Sequence, residues 1–124
     1  TTVTISGAPT PAMTMHVGDL DGYNSSEGRT WSAYVIVRVE DSDHKPVADA
    51  TVFGKWKGGG LASDECTTDS AGECLMVDTM IRARRKSVTF TVRDIVHASL
   101  TYAPDDNHDP DGDSDGTSIK VKRP

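Results

Sequence analysis

Two short stretches of the sequence place aspartates at alternate positions next to glycines. One is Gly18-Asp19-Leu20-Asp21-Gly22, and the other is Asp109-Pro110-Asp111-Gly112-Asp113-Ser114-Asp115-Gly116. Alternate carboxylates along a short loop can turn toward one point, where their mutual repulsion is relieved by a hard divalent cation. Ca²⁺ takes about six to eight oxygen ligands, whereas Mg²⁺ prefers few carboxylates and keeps its waters. The pattern therefore favours calcium over magnesium.

The second stretch matches only the first half of an EF-hand loop. Asp111, Asp113 and Asp115 take positions one, three and five, and Gly116 fits the sharp turn that follows. The twelfth position is Lys122, which cannot replace the bidentate glutamate. The missing ligands must come from elsewhere, so we predict one calcium site built from both stretches. Its predicted ligands are Asp19, Asp21, Asp109, Asp111, Asp113 and Asp115. The alternative is a solvated acidic loop that only aids solubility.

The other side chains able to do chemistry carry weaker signals. The four histidines, His16, His44, His97 and His108, are scattered singly, which predicts ordinary surface or strand residues rather than a zinc site. No sequence motif of a serine hydrolase, a zinc peptidase or a phosphate-binding loop is present. We therefore predict that the chain is not an enzyme.

The elements that must position these residues are short strands. In the clearest one, Thr30 to Glu40, residues at every second position from Trp31 to Val39 are apolar, so they share one face. Cys66 and Cys74 flank a turn-like sequence, and a hairpin there would bring them close enough for a disulfide. A disulfide would indicate an oxidising compartment, and the alternative is two free thiols.

The whole pattern predicts an all-β fold. No segment of eleven residues or more has a helical period, and turn signals recur regularly. We expect an immunoglobulin-like β-sandwich of about seven to nine antiparallel strands over residues 13–124, with a closed barrel as the alternative. Residues 1–12 contain Pro9 and Pro11 and are predicted to be a linker or an edge strand.

Two motifs resemble those of bacterial immunoglobulin-like modules. Residues 41–52 are similar to their D-x-x-x-x-P-V-x-x-A-x-V signature, and residues 68–72 resemble the T-D-x-x-G hairpin that follows it. Such modules, fibronectin-III-like ones included, occur as accessory domains of secreted hydrolases and surface proteins. The resemblance implies an extracellular accessory or spacer module whose partners are the neighbouring domains of a parent protein. The hairpin cysteines depart from this pattern.

Composition narrows the list of partners. The net charge of -6 argues against nucleic acid, and no apolar run is long enough for membrane insertion. The first alternative to a calcium-binding spacer is a carbohydrate-binding module, with Trp56 and Tyr34 as exposed rings for polysaccharide stacking. The second alternative is an adhesion or protein-interaction domain at the cell surface.

Overall fold

The computed structural model describes residues 13–59, 62–112 and 114–124. Eight strands carry the fold of this part: β1 (Thr14–Glu27), β2 (Thr30–Asp41), β3 (Thr51–Lys57), β4 (Ser63–Thr67), β5 (Glu73–Arg82), β6 (Ser87–Val96), β7 (Thr101–Tyr102) and β8 (Ser118–Lys122). A short 3₁₀ turn, Pro104–Asp106, follows β7. Within the described ranges, no helix has the length and apolar character needed to span a membrane. The linker predicted at residues 1–12 lies outside these ranges.

The strands form two sheets of four, with the orders β5-β2-β1-β7 and β4-β3-β6-β8. Neighbouring strands are antiparallel, except that β1 and β7 pair in parallel. The predicted all-β sandwich is confirmed. The hairpin predicted around residues 70–72 is wrong, because β4 pairs with β3 in one sheet while β5 pairs with β2 in the other.

The core lies between the two sheets, and strand alternation builds it. On β2 the five residues predicted to face inward are all buried: Trp31, Ala33, Val35, Val37 and Val39. The facing sheet contributes Val52, Phe90 and Ile119. Burying a Val, Ile or Phe side chain is worth about 1.5–3 kcal/mol relative to leaving it exposed, so this core supplies the main driving force of the fold.

A disulfide between Cys66 and Cys74 links the two sheets. Cys66 lies on β4 and Cys74 on β5, with their Cα atoms 5.7 Å apart. The bond predicted for a hairpin is therefore present in a different setting, because it joins the edge strand of one sheet to the edge strand of the other. A disulfide is compatible with an oxidising, extracellular environment.

Residues 18–22, which the sequence predicts to be a loop, belong to strand β1. A bulge interrupts its pairing with β2 between Val17 and Asp19. An extra residue shifts the side-chain alternation by one, and so His16, Asp19 and Asp21 all face away from the core while Val17 and Leu20 face into it. The bulge thus collects polar side chains on the outer face of this sheet.

Residues 103–117, which we call the covering segment, continue beyond β7 along the edge of β1. The N–H of Ala103 donates to the carbonyl of Met15 at 2.8 Å, and the N–H of His108 donates to the carbonyl of Val17 at 3.0 Å. In return, the N–H of Val17 donates to Oδ1 of Asn107 at 2.7 Å. The covering segment therefore places its own polar side chains beside those of β1.

Candidate metal centres

The first candidate centre, the carboxylate cluster, consists of Asp19, Asp21 and Asp111. One carboxylate oxygen of each lies within 4.8 Å of the others. Asp19 and Asp21 come from β1, and Asp111 comes from the covering segment. The two acidic stretches, far apart in the sequence, thus lie close together in space.

Asp109 completes the carboxylate cluster from the side of the covering segment. The pKa of Asp19 is raised to about 7, first by burial and then by its contacts with Asp109 and Asp21. Burial and neighbouring negative charge both disfavour the ionised carboxylate. Moreover, Oδ1 of Asp19 is buried and accepts no hydrogen bond from the described part of the chain. The cluster therefore crowds carboxylates together and leaves one buried oxygen without a hydrogen bond from the described residues.

The remaining predicted ligands have different positions. Oδ1 of Asp115 accepts hydrogen bonds from the N–H groups of Thr117 at 2.9 Å and Ser118 at 2.7 Å. Asp115 therefore caps the turn that leads into β8, and it is not grouped with Asp19, Asp21 and Asp111. Asp113 lies outside the described residues.

The second candidate centre, the imidazole cluster, consists of His16, His44, His108 and Glu40. One donor atom of each lies within 4.8 Å of the others. Oε1 of Glu40 is 3.3 Å from Nδ1 of His44, 3.6 Å from Nε2 of His16 and 3.9 Å from Nε2 of His108. The three ring centroids are 5.1–5.4 Å apart. One carboxylate oxygen thus faces three imidazole nitrogens.

Strand register and the covering segment bring the imidazole cluster together. His16 of β1 is paired directly with Glu40 of β2. His44 lies in the turn after β2, where its N–H donates to the carbonyl of Asp41. His108 belongs to the covering segment, and Gly116 packs directly against its backbone. Gly116 has a φ of 84°, and a Cβ there would lie 2.6 Å from the backbone N of His108. Only glycine fits this position without strain.

The two deepest members of the imidazole cluster are His16, which is 3% exposed, and Glu40. Neither ring nitrogen of His16 has a hydrogen-bond partner among residues 13–59, 62–112 and 114–124. The pKa of His16 is lowered, first by burial and then by His108, so its ring is kept neutral. A neutral imidazole with an available lone pair is the form that binds a metal ion.

The four histidines are scattered singly along the sequence, but three of them lie together in space. His97 stays apart, with its Nδ1 accepting a hydrogen bond from the N–H of Ser99. The sequence carries a partial signal in Glu40 and His44, four residues apart across a turn. Nothing local connects them with His16 or His108, because that contact depends on strand pairing and on the path of the covering segment.

Of the two rings predicted to bind sugar, Trp56 is buried and Tyr34 is half-buried. Trp56 is 2% exposed and packs against Phe90 with ring centroids 5.0 Å apart, so it offers no ring for stacking. Its position on β3 alternates with exposed Lys55 and Lys57, which places the indole in the core. Tyr34 is half-buried on the outer face of β2, where it is paired with Tyr23 of β1.

Comparison with known proteins identifies no relative. No family model, no curated protein and no solved structure matches this chain. Functional inference therefore depends on the two clusters themselves.

Proposed function

We propose that this chain is a non-catalytic, calcium-binding β-sandwich module of a larger secreted protein. The observation that carries the proposal is the meeting of Asp19 and Asp21 with Asp111 at the outer face of β1. A calcium ion there would tie the first strand of the sandwich to the covering segment, and the module would be stiffer with calcium than without it.

The chemistry of the donor set favours a hard cation. All members of the carboxylate cluster offer oxygen, and Asp109 contributes a fourth carboxylate beside Asp19. Four carboxylates, some of them bidentate, together with water can reach the about six to eight oxygens that Ca²⁺ requires. Burial and the neighbouring carboxylates both disfavour ionised Asp19. An ion of charge +2 would offset both effects, so metal binding and the ionisation of Asp19 would reinforce each other.

The extracellular location belongs to the same proposal. The Cys66–Cys74 bond is compatible with an oxidising compartment. Calcium is abundant outside cells, where modules with weak sites of about 10⁻⁴–10⁻³ M affinity can stay occupied. The expected partners are the neighbouring domains of the parent protein, which a stiff spacer would hold apart.

The test is thermal or urea unfolding with calcium and with a chelator. A ligand that binds only the folded state stabilises it by about 2.7 kcal/mol at one hundred times its dissociation constant. We expect calcium to raise the free energy of unfolding of the wild type by about this amount at that concentration. The response should be lost in Asp19→Asn and Asp111→Asn.

Asp105→Asn is the matched control. Asp105 is an exposed carboxylate in the 3₁₀ turn of the covering segment, and its loss changes the net charge equally without touching the cluster. If Asp105→Asn abolished the calcium response as fully as Asp111→Asn, general charge screening would explain the stabilisation and the proposed site would be refuted.

A further inference from the structure

We infer that the chain has a second, chemically distinct metal site, in which His16, His44, His108 and Glu40 bind one Zn²⁺ ion. This inference does not depend on the calcium proposal, since the two clusters share no ligand. Three imidazole nitrogens and one carboxylate oxygen form a donor set that suits zinc, whereas calcium takes oxygen ligands.

The distances from the Glu40 carboxylate to the three rings are close to those between the ligands of a four-coordinate ion. Zinc lies about 2.0–2.1 Å from histidine nitrogen, and a tetrahedron with such bonds has edges of about 3.3–3.4 Å. The observed separations from Oε1 of Glu40 to the three ring nitrogens are 3.3, 3.6 and 3.9 Å. To reach that edge length, the longest of these separations would have to shorten by about 0.5 Å through movement of the half-exposed His108. The donor atoms of the three histidines lie within 4.8 Å of one another and would also draw closer around the ion.

His16 supplies the observation that points to a ligand. Its ring is 3% exposed, is directed at the other members of the cluster and leaves both nitrogens without a hydrogen bond in the described part of the chain. Burying a polar group without a partner costs free energy. A metal ion at Nε2 would satisfy one of these nitrogens.

Two further groups orient the ligands as outer-shell residues do in zinc sites. Nδ1 of His108 is 3.2 Å from the carbonyl of Asp106. A carbonyl can only accept, so this contact places the proton on Nδ1 and leaves the lone pair of Nε2 for the metal. Arg38 forms an ion pair with Glu40, with Nε 3.1 Å from Oε2, and this attraction keeps Oε1 on the side of the three rings.

Gly18 provides the space for the glutamate. A Cβ at this position would overlap the side-chain carboxylate of Glu40. The bulge at Gly18 therefore has two effects: it brings His16 and the aspartates to the same face, and it leaves room for the carboxylate beside His16.

The site would fasten four parts of the chain at one point. The ligands come from β1, from β2, from the turn after β2 and from the covering segment. With all four positions taken by protein, the ion would have a structural role, because catalytic zinc keeps a position open for water or substrate.

The experiment titrates the metal-free protein with Zn²⁺ in excess Ca²⁺, so that the carboxylate cluster is saturated with its own ion. We expect one Zn²⁺ per chain by isothermal titration calorimetry. We also expect Co²⁺ to give the strong visible absorption of a tetrahedral site. Binding at other than one equivalent, or the weak absorption of octahedral Co²⁺, would overturn the inference.

The informative variants are His44→Ala and His108→Ala. Both side chains are substantially exposed, at 65% and 39%, so the fold should tolerate their loss better than that of His16. Removing an outer-shell partner typically lowers metal affinity by about 10- to 100-fold, so we expect each direct-ligand variant to lose more than about 100-fold. His97→Ala, the histidine outside the cluster, should bind Zn²⁺ like the wild type. Equal affinities for all three variants would overturn the site.

A cross-check separates the two metal sites. Asp111→Asn should lose the calcium response and keep its affinity for Zn²⁺, whereas His108→Ala should do the reverse. If Asp111→Asn lost Zn²⁺ binding to the same extent as His108→Ala, the zinc would lie in the carboxylate cluster and the assignment to the imidazole cluster would be wrong.

Discussion

The carboxylate cluster and the imidazole cluster have two parts of the chain in common, and they differ in their chemistry. Each takes residues from the outer face of β1 and from the covering segment, and His108 and Asp109 are consecutive. One cluster crowds carboxylates, and the other gathers three imidazole rings around a single carboxylate. A shared scaffold therefore offers two kinds of donor set at adjacent positions, and side-chain type alone would decide which ion each one takes.

The comparison also shows why only one of the clusters could be predicted. The aspartates alternate with other residues in two short stretches. This pattern is local, so Asp19, Asp21, Asp109 and Asp111 could be named from the sequence. The histidines meet only through the register of β1 with β2 and through the hydrogen bonds of the covering segment. A single sequence does not specify these long-range pairings.

The same distinction holds for the fold. Alternation on β2 predicted its buried face correctly because that pattern is local. The bulge at Gly18 was not predicted, because two aspartates between glycines are as typical of a loop as of a strand with one polar face. Trp56 was predicted to be exposed, although alternation along β3 places it inside, between exposed Lys55 and Lys57.

The largest effect is expected from a substitution at Gly18, which lies on β1 between the residues of the two clusters. We expect Gly18→Ala to displace Glu40 and to lower Zn²⁺ affinity by about 100-fold or more, beyond the loss of an outer-shell contact. Overpacking should also lower the free energy of unfolding by about 1–3 kcal/mol. Calorimetric titration and urea unfolding measure the two effects.

The double variant Gly18→Ala, Glu40→Ala is the control for this steric argument. Without the glutamate side chain, the added Cβ has no carboxylate to displace. The unfolding cost of Gly18→Ala should therefore shrink in the Glu40→Ala background, and the same cost in both backgrounds would contradict the proposed overlap.

A smaller effect, shared by both clusters, is expected at Asn107. Its Oδ1 accepts from the N–H of Val17, while its Nδ2 donates to the hydroxyls of Tyr102 at 2.6 Å and Thr117 at 3.1 Å. Asn107→Ala leaves these groups unpaired, so we expect a loss of about 1–3 kcal/mol in the free energy of unfolding. Because Asn107 positions the whole covering segment, affinities for Ca²⁺ and Zn²⁺ should both fall in titrations. A loss confined to one metal would show that the two sites are positioned independently.

The last expected effect is a difference in pH response in the presence of a chelator. Asp19 has a pKa near 7 in the folded chain against 3.8 ordinarily, so between these values the folded state holds a proton that the unfolded chain has lost. Its contribution to the free energy of unfolding therefore falls as pH rises from about 4 to 7. The lowered pKa of His16 acts oppositely: the unfolded chain binds the extra proton, and stability falls as pH drops through the ordinary value of 6.5.

Urea unfolding across this range, with wild type and Asp19→Asn compared, separates the two contributions. Asp19→Asn should remove the loss of stability on raising the pH and keep the loss on lowering it. Asp105→Asn should follow the wild type. Parallel curves for Asp19→Asn and the wild type would contradict the burial-driven pKa of Asp19.

The path of the covering segment has a consequence for how this domain behaves at high concentration. β7 pairs with β1 over only two residues, and beyond them the backbone groups of Val17 are satisfied by Asn107 and His108. Without these partners, the backbone groups of β1 would form an open sheet edge, to which a strand from another molecule can add. Release of the segment from β1 would expose such an edge, so holding the segment in place guards against self-association as well as unfolding.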